Sequence, residues 1–256
     1  MNKNLKVGLI VGAVVLVLGA LIGITVWQSS SESKKEPVIS DYEGYELSKV
    51  KEMAALNDYS DFDVKKIIAA NAQSGNLPEN VNGSKDASVV IVEYADYQCS
   101  YCAAMNSLIN KIVEDYDGKV AVVMRSYVLS YHPNGVQGAA AANAAAIQGY
   151  WKGYKDLLFA NQSDWFYSEG EELQEQLEEY FMQATGGKGD LEKFREDMKS
   201  EAVLEKIAFD QGLGEEAEIG GTPWFYLDGK WIENDNLAPA KYAEKIREVI
   251  DQKLGK

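Results

Sequence analysis

Two cysteines, and only two, occur in the 256-residue sequence, and they stand three apart in Cys99-Ser100-Tyr101-Cys102. That spacing suits a pair of sulfurs that interconverts between dithiol and disulfide, and it fits other uses poorly. A purely structural disulfide across so short a loop is a weak staple, because the unfolded-state entropy it removes grows with loop length. A zinc site takes about four ligands, and two Cys with the single His leave carboxylates to supply the rest. Redox chemistry is the best match. It requires a thiolate. After Cys102, Met105, Leu108, Ile109, Ile112 and Val113 recur three and four apart, which predicts a helix from about Cys99 to Tyr116 with both sulfurs in its first turn. Unpaired N–H groups and the dipole at a helix start stabilise negative charge. Cys99 is therefore the expected nucleophile, with a pKa drawn from about 8.5 into the range of about 3.5–7.5. Cys102, a turn further in, is the expected resolving thiol. Neither Ser100 nor Tyr101 adds a positive charge.

Three further places carry polar groups where chemistry is possible. Glu93 lies six residues before Cys99 in the apolar run Val89-Val90-Ile91-Val92, which reads as a strand delivering the dithiol, and a carboxylate on a buried strand is costly unless it serves something. His132 stands in Tyr131-His132-Pro133-Asn134. A lone His before a helix-starting Pro is more often a turn or cap residue than a participant in catalysis, and both readings stay open. Glu233-Asn234-Asp235-Asn236 has the composition to hold a cation, although such a stretch at a hairpin exit is more often a turn.

The segment Glu93-Tyr94-Ala95-Asp96-Tyr97-Gln98-Cys99-Ser100-Tyr101-Cys102 with its helix resembles the active-site segment of the DsbA-like thiol–disulfide oxidoreductases of the thioredoxin superfamily. Far downstream, Ile219-Gly220-Gly221-Thr222-Pro223-Trp224-Phe225-Tyr226-Leu227-Asp228-Gly229-Lys230 resembles the same family's Gly-Thr-Pro loop, the strand after it and the Gly turn into the last strand. The resemblance covers about residues 85–254 and is greatest to the membrane-anchored, Gram-positive BdbD-type members. It departs from the best-known DsbA pattern at Ser100-Tyr101, where that pattern has Pro-His. It implies an α/β, thioredoxin-like fold with an inserted all-helical domain, and a cis Thr222-Pro223 bond facing the dithiol and offering backbone groups to a bound peptide. It gives Glu93 the role of a buried proton-transfer group. No metal and no bound cofactor are implied, quinone entering only through a DsbB-like membrane partner that reoxidises the protein. The expected activity is introduction of disulfide bonds into exported proteins through Cys99 and Cys102. A reductase or isomerase of the same fold is the nearest alternative, and a peptide-binding chaperone with an incidental dithiol is one from another class.

The rest of the chain must position and deliver this segment. Val7 to Trp27 contains no charge, and about 20 apolar residues cross a bilayer core. With Lys3 and Lys6 ahead of it, the positive-inside rule leaves the remainder outside the cell membrane as the catalytic part of a single-pass protein. The run exceeds the roughly 7–15 apolar residues of a cleaved signal peptide, so residues 1–28 are read as an uncleaved anchor. Residues 29–40 are a solvated tether and 41–84 an N-terminal extension, in which Tyr45, Leu47, Val50, Met53 and Leu56 suggest one helix and Val64, Ile67 and Ile68 a second. Gly75, Pro78, Asn80, Asn82 and Gly83 read as a loop. The thioredoxin-like domain is read as 85–254, with a second strand at Val120–Tyr127 and a helical insertion at about 133–212. That insertion contains patterned stretches at Gly138–Ile147, Trp151–Phe159 and Glu171–Ala184, then helices capped by Asp190 and covering Glu201–Phe209. Strands at Trp224–Leu227 and Lys230–Ile232 and a helix at Pro239–Leu254 close the domain. The formal charge of −15 excludes a basic nucleic-acid footprint.

Overall fold

The computed structural model of the chain describes residues 46–56 and 77–256. The span expected at Val7–Trp27, the tether and the helix expected around Val64 to Ile68 lie outside those residues. Among the described residues no helix is long and apolar enough to cross a membrane. The first helix expected in the extension is found as α1 (Leu47–Ala54).

Two central strands, β2 (Val89–Ala95) and β3 (Val120–Ser126), run parallel and are joined by α2 (Ser100–Asp115). Only Val90 among their residues escapes full burial. That is the state expected of apolar runs covered on both faces. With β1 (Asn80–Gly83), β4 (Trp224–Leu227) and β5 (Lys230–Ile232) they form a mixed sheet in the order β1-β3-β2-β4-β5, the three outer pairings with β3, β2 and β4 being antiparallel. Between β4 and β5, Asp228 and Gly229 both take positive φ, 48° and 78°, as a type I′ hairpin turn requires.

Side chains alternate across a strand, and here the alternation separates two chemistries. Val89 and Ile91 enter a core with Met105, Ile109 and Ile112 of α2 and with Tyr242, Ile246 and Ile250 of α9 (Pro239–Leu254). Val92 and Tyr94 enter the opposite core with Phe209 and Leu213 of α8 (Glu201–Glu216). Glu93, in step with Ile91, therefore belongs to the α2 face. Arg125 is in register with Tyr94 and belongs to the α8 face.

Between β3 and β4 the chain is helical: α3 (Gly135–Ile147), α4 (Trp151–Ala160), α5 (Gln162–Trp165), α6 (Gly170–Thr185), α7 (Leu191–Met198) and α8. The Ala-rich α3 is buried over nearly its whole circumference, where small side chains let neighbouring helices approach. Gly186 ends α6 in the left-handed conformation, and Asp190 caps α7 by accepting the Lys193 N–H at 3.0 Å.

Two expectations need correction. The stretch read as a loop at 80–83 is a strand, β1, paired with Ala121–Met124. Asn80 donates to Asn143 at 3.0 Å and Asn82 to Asn110 at 2.8 Å, so side chains typical of turns are used here to tie an edge strand to two helices. The helix expected to end at Phe209 continues to Glu216, through Gly212 and Gly214. A Cβ on Gly214 would lie 2.3 Å from the Tyr127 ring, so this glycine makes room for an aromatic side chain inside a helix.

Candidate active site

Cys99 is the N-cap residue of α2, with extended backbone (φ −74°, ψ 119°), and Cys102 lies in the first turn. Both thiols are free and buried, Cys102 almost wholly and Cys99 with an exposure of 8%. The Cys99 Sγ lies 3.3 Å from the Thr222 carbonyl, to which it donates while it carries its proton. The Thr222-Pro223 bond is cis, as the resemblance implies, so the Gly-Thr-Pro loop meets the dithiol across 123 residues of sequence. Beside it is a cleft of about 450 Å³ lined by Tyr101, Thr222, Pro223, Trp224, Trp231 and Leu237, among others. The Trp224 and Trp231 rings stack at 4.2 Å with an interplanar angle of 8°.

The two sulfurs are electrostatically unlike. A hydrogen bond from the Cys102 thiol, helped by Thr222 and by the backbone N–H groups of Cys102 and Tyr101, outweighs burial and lowers the Cys99 pKa to about 6. Burial pushes Cys102 well above the usual thiol range, with the Cys99 bond, the Cys99 charge and the Glu93 charge acting in the same direction. Cys99 is thus the thiolate at neutral pH and Cys102 the neutral thiol. Glu93 is buried, and burial raises its pKa to about 7 against the pull of Lys155, with Cys99 adding to the rise.

Lys155 and the turn before Cys99 are the parts that reading the sequence did not pick out. Lys155 is 3% exposed and reaches Asp156 at 3.1 Å, Asn110 at 3.2 Å and Asn106. Burial lowers its pKa. Its signal was present in the sequence, because Trp151, Tyr154, Lys155, Leu158 and Phe159 fall on one helical stripe and all are buried. In the turn, Asp96 is 1% exposed; its Oδ1 accepts the Gln98 N–H at 2.8 Å, and its Oδ2 accepts the Leu129 N–H at 2.8 Å and meets His132 Nδ1 at 2.7 Å. Gln162 of α5 donates to the carbonyls of Tyr97 and Cys99, at 2.8 and 3.1 Å. A Cβ on Gly135 would come within 2.6 Å of Val128 and 3.3 Å of the Asp96 carboxylate. His132 therefore does not merely cap a helix. The Glu233–Asn236 stretch is a turn, with positive φ at Asp235 and Asn236 and the Leu237 N–H bonded to Asn234 Oδ1 at 2.9 Å.

Comparison with known proteins agrees with this geometry. The thioredoxin family model matches residues 76–252, and the chain belongs to that family. Among solved structures, oxidised BdbD from Bacillus subtilis superposes with a TM-score of 0.58 at 23% identity, covering 74% of this chain and 98% of that one. The thiol–disulfide exchange protein alpha-DsbA2 from Wolbachia pipientis gives 0.55 at 16% identity, covering 80% and 99%. A thioredoxin-like oxidoreductase from Silicibacter pomeroyi DSS-3 gives 0.50 at 26%, covering 70% and 99%. In sequence, the Na(+)/H(+) antiporter NhaA 3 of Salinispora tropica is 30% identical over 152 residues, covering 59% of this chain. The chain spans under a quarter of the length of the curated relatives it matches, 22% in that case and 24% for NhaA 1 of Mycobacterium sp. (strain KMS).

Proposed function

We propose that the protein is an extracytoplasmic oxidase that donates the Cys99–Cys102 disulfide to reduced exported proteins. The observation that carries this reading is the asymmetry of the thiols: a Cys99 pKa lowered to about 6 stabilises the reduced form, and a disulfide has no thiolate to benefit. A substrate thiolate attacks Cys99 Sγ, the Cys99–Cys102 bond breaks, and Cys102 leaves with the electron pair. Because burial makes that thiolate costly, it takes up a proton, and Glu93, which exchanges a proton near neutrality on the same face of the sheet, supplies it. A second substrate thiolate then attacks the substrate sulfur of the mixed disulfide and releases Cys99 as thiolate. The substrate leaves oxidised and the protein reduced by two electrons, which a DsbB-like, quinone-linked membrane partner removes. The cleft beside Thr222 and Pro223, walled by two stacked indoles, offers a surface for the peptide around the substrate cysteine. The apolar run at 7–27 supports anchoring with this domain outside the cell.

Equilibration with glutathione tests the direction of transfer, and unfolding of the two redox forms tests its cause. A depressed thiol pKa gives the reduced protein stability that is full above the unfolded value of about 8.5 and is lost as pH falls through the folded value, here about 6. Reduced protein should therefore melt above oxidised protein at pH 7, the gap shrinking by up to about 1.4 kcal/mol per unit as the pH is lowered through that window. An oxidised form more stable at pH 7 makes the protein a poor donor and supports the reductase reading. Peptide-binding chaperone activity that persists in full in Cys99→Ser, a protein with no thiol pair left for interchange, would support the chaperone reading.

A further inference from the structure

Asp96 poses an electrostatic problem next to the nucleophile. It anchors the turn that delivers Cys99: its carboxylate takes the N–H groups of Gln98 and Leu129, and its carbonyl accepts the Cys99 N–H at 3.0 Å. A carboxylate so placed, 1% exposed, opposes a second negative charge on Cys99. Nothing between the two cysteines offsets it, since Ser100 and Tyr101 are uncharged. The loop at 129–134 brings the only histidine of the chain to this carboxylate. It is clamped along the turn by the Leu129 N–H and His132 Nδ1 on Asp96, and by the Asn134 N–H on Gln98 Oε1 at 2.7 Å. The imidazole is held edge-on between Tyr131 and Phe166, with ring centres 4.6 and 5.8 Å away.

We infer that His132 is the positioning charge of the site: protonated, and held by Asp96, it cancels the buried carboxylate beside Cys99 and so permits the Cys99 thiolate to form and to leave from the mixed disulfide. The inference concerns the same site as the proposed oxidase reaction but depends only on Cys99 being the ionised thiol. The other ionisable groups facing the pair are Cys99, the N-cap of α2, Cys102 in its first turn and Tyr131 of the loop itself. From α5, Asp164 is occupied with the Ser163 hydroxyl at 3.1 Å. Burial works against a charged imidazole, but the bond to Asp96, the Asp96 charge and the Cys99 charge together raise the His132 pKa. A raised pKa lets the cation persist to higher pH than an ordinary imidazole, and it disappears as pH rises through the folded-state value. Above that value Asp96 stands uncancelled and the reduced state loses this support.

Linkage makes the effect reciprocal and measurable from both ends. With one histidine in the chain, NMR titration of the full-length protein yields one imidazole curve in each redox form. In the dithiol form the His132 proton affinity should exceed that of the disulfide form by about tenfold, one pKa unit. His132→Gln keeps a side chain able to donate to Asp96 but carries no charge; it should raise the Cys99 proton affinity by a similar factor in a pH series of alkylation rates. The equilibrium with glutathione at pH 7 should move about tenfold toward the disulfide form, which is about 30 mV. Identical His132 curves in the two redox forms would overturn the inference without any variant having to fold. So would a His132→Gln protein with native circular dichroism and an unmoved Cys99 midpoint. A reducing potential in the parent protein, with the coupling intact, would instead overturn only the oxidase reading.

Discussion

Two groups of buried charges sit on opposite faces of the central strands, and they are built on different terms. On the α8 face, Arg125 gives two hydrogen bonds to Glu79 Oε1, at 3.2 and 3.0 Å, and one to the Tyr94 hydroxyl at 3.2 Å. Lys206 bridges Glu79 Oε2 at 3.2 Å and Asp210 Oδ1 at 2.6 Å, and Asp210 Oδ2 accepts the Ser126 N–H at 3.2 Å. Two cations face two carboxylates, all nearly sealed from solvent. Although burial works to raise the Glu79 pKa, Lys206 and Arg125 together lower it. On the α2 face, Glu93 makes no hydrogen bond or ion pair with any side chain among the described residues, and the nearby Lys155 is bonded to Asp156 and two asparagines instead. Its pKa rises to about 7. Burial acts in the same direction on both groups: it raises Asp210 to about 6 against the pull of the bonded Lys206, and Glu93, without such bonds, to about 7. The difference between the groups lies in how many partners oppose it.

The difference predicts opposite mutational outcomes. Arg125→Met should be the most damaging change, because it leaves Glu79 buried with one cation; loss of one partner from such a group costs about 3–5 kcal/mol. Denaturant unfolding measures that loss. The redox equilibrium of the folded fraction should not move, since Arg125 lies on the face away from the dithiol. A changed potential would mean that the two groups are electrostatically one.

Glu93→Gln should do the reverse. An acid whose folded pKa is raised above its unfolded value makes the protein lose stability as pH climbs between the two, and a rise from 4.5 to about 7 corresponds to about 3 kcal/mol. The Gln variant lacks that slope and should be more stable than the parent above pH 7, with little difference near pH 4. The disulfide form is the one to unfold, because Cys99 then contributes no titration of its own. Turnover should fall while stability rises, the exchange expected where a strained group serves chemistry. A Glu93→Gln protein that is less stable at pH 8 would place Glu93 with the structural charges.

Which of these parts could be read from the sequence follows from whether their signal is local. The strand at Val89–Ala95, the dithiol helix and the Asp228-Gly229 hairpin each carry their own periodicity or turn chemistry. Cys99, Cys102 and Pro223 could be read from two motifs in the right order. The strand at Asn80–Gly83 could not, because one apolar residue among turn formers gives no period, and its pairing is fixed by Asn143 and Asn110 far along the chain. The helix expected to stop at Phe209 runs on through Gly214, whose lack of a Cβ makes room for the Tyr127 ring, a long-range contact with no local signal. Lys155 lies on a legible apolar stripe, but a charged side chain there gives no local sign of its burial. The Asp96–His132 pair spans 36 residues, so no local signal joins the two and only the fold brings them together.

The smallest effect separates Lys155 from Glu93. Lys155 is the cation that lowers the Glu93 pKa, yet its bonds go to Asp156, Asn106 and Asn110. Lys155→Met should leave Asp156 adequately held, because that carboxylate is partly exposed and keeps the amides of Asn106 and Asn110 at 3.0 and 2.9 Å. What it removes from Glu93 is attraction without contact. The Glu93 titration should shift upward by on the order of one unit, the size expected when a nearby opposite charge is lost, as followed by the infrared carboxyl band that disappears in Glu93→Gln. Lys155→Met and Glu93→Gln should then combine to less than the sum of their separate stability changes, since part of each is their mutual interaction. Strict additivity would mean that burial alone holds the Glu93 proton, and that Lys155 serves the helix packing of Asn106 and Asn110 and not the dithiol.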